Sequence, residues 1–163
     1  MNLLKKLLVA TVAASALAVP AVAKVDAGTP ALIRTAEAHG ASFVYNPDTC
    51  GGSFVGLFET RDQRITLCYT TADADAHDTV RHEVMHFIQS CAARKRGAYR
   101  LEPVASLSDL NAFVRSQLTD EHIIRIKSVY PKHQHLTELE AFAAAEAYSA
   151  AQMIPLIRGW CGV

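Results

Sequence analysis

Several features that would fix the chemistry of this chain are missing from it. Its four cysteines, Cys50, Cys68, Cys91 and Cys161, contain no CxxC pair, which argues against a thiolate zinc site or a thioredoxin-like redox centre. There is no surplus of charge of either sign, since 16 Lys and Arg stand against 16 Asp and Glu. A near-neutral chain lacks the electrostatic footprint of a nucleic-acid or anionic-membrane binder, so no nucleic acid is expected among its partners. The densest basic run, Arg94-Lys95-Arg96, directly precedes Gly97. Cations there complement the end of a helix, so the run is a stop signal rather than a binding patch. Internal repeats, low-complexity tracts and long linkers are also absent, which leaves a single domain.

The longest uncharged stretch is N-terminal. Lys5 and Lys6 precede an unbroken run from Leu7 to Val19, and Ala21-Val22-Ala23 follows Pro20 as a small-x-small cleavage site. The pattern is that of a secretory signal over residues 1–23. The apolar stretch is short for a membrane span, so no stable membrane insertion is expected after cleavage. Residues 24–163 would then be one exported domain, periplasmic or secreted, and the Ala-rich leader looks bacterial. Losing Lys5 and Lys6 and no acid takes the balance to 14 basic against 16 acidic residues, a net of −2. Four cysteines in an exported chain suggest two disulfides, with three connectivities open.

The chain reads as α+β. Thr29-Pro30 suits a helix start, with a short helix over Ala31–His39 stopped by Gly40. Ala41–Tyr45 reads as a strand. Ser53–Phe58 and Arg64–Tyr69 flank the polar tip Glu59–Gln63 as a β-hairpin. A polar loop, Thr70–His77, leads to Asp78 as a plausible N-cap for a helix over about Thr79–Arg94. The C-terminal half is helical: Ser108 and Thr119 can cap segments over Asp109–Gln117 and Asp120–Val129. Thr137 can cap a longer Ala-rich helix over Glu138–Met153, ahead of Pro155. A short antiparallel sheet with a hairpin, a helix, and then a helical half is the expected order.

The chemistry is concentrated in Arg81-His82-Glu83-Val84-Met85-His86-Phe87-Ile88-Gln89. On a helix, His82 and His86 lie one turn apart and about 40° apart around the axis, so both imidazoles can face one ion. Glu83 is rotated by about 100° and can reach a metal-bound water instead. Zinc suits this set, because it accepts neutral imidazoles and leaves a position open for water, whose pKa it lowers toward about 7. Glu83 would take that water's proton. Val84, Phe87, Ile88 and Cys91 give the helix an apolar face of its own, which favours a packed helix over a surface one with incidental histidines.

This segment resembles the active-site helix of the zincin metallopeptidases, which share HExxH. No Gly and no third His follow at the offsets of the metzincin pattern, so the nearer likeness is to gluzincins, whose third ligand is a Glu on a later helix. The resemblance implies a minimal zincin-like fold, one Zn2+ per chain, and a peptide or protein substrate. Glu138-Leu139-Glu140-Ala141-Phe142-Ala143 is similar to the Glu-Ala-containing helix of small gluzincins. There Glu140 is the favoured third ligand, with Ala141 and Ala144 keeping the helix close to its neighbour. Thr137-x-x-Glu140 is also a capping box, and Glu138 and Glu146 remain as alternative ligands on other faces of the helix. Gln89, near the face of His86, can orient a ligand or a substrate group. Candidates for an oxyanion donor are His122, Tyr130, His133, His135 and Tyr148. Zincins bind substrate along a sheet edge, which points to Arg64–Tyr69. The competing expectation is an exported zinc-binding protein that uses the same cleft without catalysis.

Overall fold

The computed structural model describes residues 27–50, 54–68 and 75–162; the signal expected over 1–23 lies outside them. The described chain is α+β, with six α-helices and one small sheet. Helix α1 spans Thr29–Ala38 and leads through Gly40, at φ +100°, into β1, Ser42–Tyr45. Strands β2, Gly56–Glu59, and β3, Arg64–Leu67, form the expected hairpin, with Phe58 opposite Ile65 and Glu59 opposite Arg64. The Arg64 guanidinium donates twice to the Glu59 carboxylate, at 2.7 and 2.9 Å, closing the hairpin across its last pair.

Two expectations for the sheet are corrected. It is mixed, not antiparallel, because β1 pairs in parallel with β3. The order is β1-β3-β2, so the Arg64–Leu67 strand lies in the centre and has no free edge. Ile65, Thr66 and Leu67 are correspondingly buried, and the unpaired outer edges belong to β1 and β2; Val55, just before β2, and Leu57, within it, are exposed. A short hairpin cannot place its second strand at an edge once another strand pairs on that strand's far side.

Helix α2, Asp75–Lys95, is the axis of the fold. It starts before the expected Thr79, so Asp78 is not its cap and pairs with Arg81 instead. It ends where the basic run predicts, with Gly97 at φ +76°. Residues 83–93 are buried all along it, because α1, α5, α6 and the sheet pack around it. Phe87 meets Phe58 edge-on, 6.4 Å between ring centres, and Leu32, Ile65, Leu67, Ile88, Met153 and Ile157 complete this core. Each such side chain removed from water contributes about 1.5–3 kcal/mol.

Helices α3, Leu107–Gln117, and α4, Asp120–Val129, begin with side-chain caps from Ser106 and Thr119. The first cap is Ser106 rather than Ser108. They pack on α5, His135–Ala147, through Leu110, Val114, Ile126 and Leu139. A short 3-10 turn, Lys132–Gln134, sets α5 off three residues before the expected start, so Thr137 lies inside the helix and caps nothing. The long helix expected over 138–153 is broken at Tyr148. Ser149 and Gln152 form a capping box that opens α6, Ala150–Cys161, with Pro155 inside it.

The cysteines pair as Cys50–Cys68 and Cys91–Cys161. The first ties the β1 exit to the end of β3; the second ties α2 to the last residue of α6. Two disulfides fit an oxidising, extracytoplasmic setting. Among the described residues no helix is long and apolar enough to cross a membrane.

Candidate metal centre

Helical spacing on α2 aims His82 and His86 at the same point, their Nε2 atoms 3.1 Å apart. The third group there comes from α5, and it is Glu138. One carboxylate oxygen lies 3.4 Å from His82 Nε2 and the other 3.4 Å from His86 Nε2. All three residues are nearly buried, and their donor atoms fall within 4.8 Å of one another. This buried group could hold a metal ion. Its carboxylate is incompletely paired without one: Glu138 Oε2 is buried and makes no hydrogen bond, and His82 Nδ1, the ring nitrogen not directed at the cluster, is also buried and unpaired. Such groups cost free energy unless something compensates them.

Glu140, the favoured third ligand in the sequence, is not at this point. Its carboxylate accepts the backbone N–H groups of Val104 and Ala105, each at 2.8 Å, and the Gln89 side-chain amide at 2.9 Å. The capping-box alternative fails as well, because α5 starts at His135. Glu140 instead fastens the segment before α3 to the inside of α5, and Glu146 lines a cleft without joining the cluster.

Gln89 joins the Glu140 carboxylate to His86. It is wholly buried. Its Nε2 donates to Thr137 O and to Glu140 Oε2, both at 2.9 Å, which leaves its Oε1 as the acceptor for His86 Nδ1 at 2.8 Å. His86 must therefore carry its proton on Nδ1 and present Nε2 as a lone pair to the cluster. Fixing a ligand imidazole's tautomer in this way raises its basicity and holds its ring. The His82 ring is held differently, edge-on to Phe142 at 4.4 Å between centres. Phe142 lies one turn beyond Glu138 on α5.

Burial and neighbours set the protonation preferences. Burial pulls the His82 pKa down, although the Glu138 carboxylate 3.4 Å away opposes this. Burial acts the same way on His86, but there the Glu138 carboxylate and the Glu83 charge prevail and raise it. Glu138 is destabilised as an anion by burial, yet both imidazoles hold its pKa down at about 2. Glu83, on the same turn of α2, is pushed up to about 7, chiefly by burial.

Glu83 lines a cleft of about 360 Å³ together with His82, Gly56, Tyr130, Phe142 and Glu146. It reaches this position because Gly56 has no side chain: a Cβ built there would lie 2.5 Å from Glu83 Oε1 and 2.6 Å from Thr79 Cγ2. Of the five candidate oxyanion donors, Tyr130 alone lines this cleft. Burial and the carboxylates of Glu138 and Glu83 push its phenol up to about 12, so it remains a donor at neutral pH. His122 lines a neighbouring cavity, and His133 a larger cleft on the Glu138 side. His135 bonds Tyr130 O, and Tyr148 stacks on Phe113.

Gly56, Phe142 and the Gln89–Glu140 link were not identified as parts of the site from the sequence, and Tyr130 was one of five donor candidates left unranked there. The only available signal was Glu138-x-x-x-Phe142, an acid and an aromatic one helical turn apart. Compared with protein-family models, with curated proteins and with solved structures, the chain finds no match.

Proposed function

We propose that this protein is an exported, zinc-dependent peptidase of gluzincin-like design, with His82, His86 and Glu138 holding the metal. The observation that carries this proposal is the placement of Glu83. A buried carboxylate stands in the same cleft as one of the two imidazoles, rotated off the cluster, beside the free edge of β2.

The donor set fits zinc in kind: two imidazole Nε2 atoms lie 3.1 Å apart and the Glu138 carboxylate places one oxygen 3.4 Å from each, a nitrogen and oxygen set that suits this ion. When bound, zinc supplies a Lewis acid with an open position and brings the pKa of coordinated water toward about 7. Glu83 then accepts a proton at its carboxylate and returns it to the leaving amine, which is general base followed by general acid work. Tyr130 Oη–H donates toward the oxygen of the attacked carbonyl. The β2 edge offers main-chain hydrogen bonds to an extended peptide. Gln89 and Phe142 hold the two imidazoles in place throughout. Export through the N-terminal signal is consistent with the two disulfides.

The test is zinc content per chain together with hydrolysis of a mixed peptide library. The purified natural protein should hold about one zinc, Glu138→Ala sharply less, and Glu83→Gln about one zinc with hydrolysis lower by on the order of 10²–10⁴-fold. A zinc-loaded natural protein that cuts no peptide, or a fully active Glu83→Gln, would reject the proposal.

A further inference from the structure

Two clefts of opposite electrical character flank the His82–His86–Glu138 cluster. The one containing Glu83 carries the acids Asp78, Glu83 and Glu146, and no Lys or Arg. The other, about 840 Å³, is bordered by Glu138 and carries Arg96, Arg100 and Lys132. Its acids are Glu138, turned to the imidazoles, and Glu102, 3.8 Å from Arg100 Nε.

The basic cleft keeps most of its charge. The Arg96 guanidinium donates to two neutral carbonyls, Pro103 O at 2.7 Å and Val104 O at 2.8 Å, and lies over the Trp160 ring. It is therefore held in place without being neutralised. Lys132 is exposed and pairs with no carboxylate among the described residues. Arg100 is 88% exposed and shares only a long contact with Glu102. The wall that carries these cations is not loose, because Glu140 bonds the amides of Val104 and Ala105.

Strand β2 connects the clefts. Val55 and Gly56 line the acidic one, and Phe58, two residues on, lines the basic one. A peptide lying along this edge has one flank of its scissile bond in each field. We propose, resting on the hydrolytic function above, that the substrate is a peptide bearing a carboxylate about two to four residues from the scissile bond, on the flank that enters the Arg96–Arg100–Lys132 cleft. An acid on the other flank meets no lining Lys or Arg and gains nothing. The recognised chemistry is a carboxylate, supplied either by an Asp or Glu side chain or by the free C-terminus of a short peptide.

The experiment uses the zinc-loaded mature protein and quenched fluorogenic peptides of one apolar sequence. Variants carry a single Glu or Gln at each position on either flank, and each is made with a free or an amidated C-terminus. The expected result is roughly 5-fold higher kcat/KM for Glu than for Gln at positions on one flank only, a preference that shrinks as salt is raised. A gain with the free acid over the amide, and none with internal Glu, assigns the cleft to the chain terminus. Arg100→Glu combined with Lys132→Glu should reverse the preference toward a Lys-bearing peptide, while zinc content shows that the site is intact. Affinity of the same peptides for zinc-loaded Glu83→Gln gives the comparison without turnover. Cleavage with no carboxylate preference on either flank, matched by equal affinities, overturns the inference and leaves the peptidase standing. No cleavage of any peptide by zinc-loaded protein overturns both.

Discussion

Alanine at Gly56 is a small perturbation with a calculable consequence. The added Cβ would meet Glu83 Oε1 at 2.5 Å, Thr79 Cγ2 at 2.6 Å and Glu83 Cγ at 2.8 Å. Bringing the first of these from 2.5 to the 3.4 Å of ordinary contact requires about 0.9 Å of movement. Glu83 has little room on the helix side, where α2 is buried, so its carboxylate must swing into the cleft or β2 must lift away. Either movement separates the base from the position it needs. A displacement near 1 Å in a catalytic group costs about 100-fold, and overpacking of this kind costs about 1–3 kcal/mol of stability.

Gly56→Ala should therefore keep about one zinc per chain, lose on the order of 100-fold in kcat/KM, and melt roughly 5 °C lower. The three atoms nearest the Cβ belong to Glu83 and Thr79 and not to His82 or His86, so metal content separates this effect from collapse of the site. Adding Thr79→Ala removes the clash with the methyl group and leaves the one with Glu83. The double variant should recover part of the Tm while activity stays low. A Gly56→Ala protein with unchanged Tm and kcat/KM within about twofold of the natural chain would refute the account, because Glu83 could not then occupy the position described.

The remaining predictions concern the supports of the site. Gln89→Leu removes the acceptor for His86 Nδ1 and the donor to Thr137 O and Glu140; zinc affinity, read by chelator competition, should weaken about 10–100-fold, and an unchanged Kd would deny Gln89 its positioning role. Glu140→Ala should hold its zinc but unfold more easily, by about 1.5–3 kcal/mol for each charge-assisted hydrogen bond removed; loss of metal at undiminished stability would restore Glu140 as a ligand. Replacing Cys91 and Cys161 opens a loop with a sequence separation of 70, which chain entropy values at about 4 kcal/mol, against about 3 kcal/mol for the Cys50–Cys68 loop of separation 18. Thermal or urea unfolding should rank the two pairs in that order, and equal Tm values for all three proteins would contradict it.

Elements marked by local chemistry were legible in the sequence. The hairpin follows from two apolar runs around a polar tip, the end of α2 from a basic run and Gly97, and the start of α4 from Thr119. What could not be read was pairing between distant parts of the chain. Nothing local to Ser42–Tyr45 states that it will lie parallel to β3, yet that pairing alone closes the β3 edge and leaves β2 as the free edge of the hairpin. Tyr148-Ser149 was hidden for the opposite reason: an Ala-rich segment on both sides suits one continuous helix, and only the capping box of Ser149 with Gln152 marks the break.

The exchange of Glu138 for Glu140 has the same origin and is the most instructive. His82 and His86 share a helix, so their relation is fixed by the 3.6-residue turn and needs no tertiary knowledge. The third ligand depends on how α5 is rotated about its own axis, and an amphipathic stripe would normally reveal that rotation. Helix α5 has no such stripe, since every residue from Thr137 to Ala145 except Phe142 is buried. Two glutamates two positions apart point to nearly opposite sides of a helix, and both sides here are interior. One side faces the imidazoles and the other faces the amides of Val104 and Ala105. Each site consumes a carboxylate, so a buried pair of acids was required in either rotation. Two of the three partners of Glu140 are backbone N–H groups in an irregular segment, which leave no residue type in the sequence by which to recognise them; the third is the Gln89 amide. A buried acid answered by main-chain donors and one glutamine amide is thus invisible to motif reasoning, whereas one answered by two histidines is not.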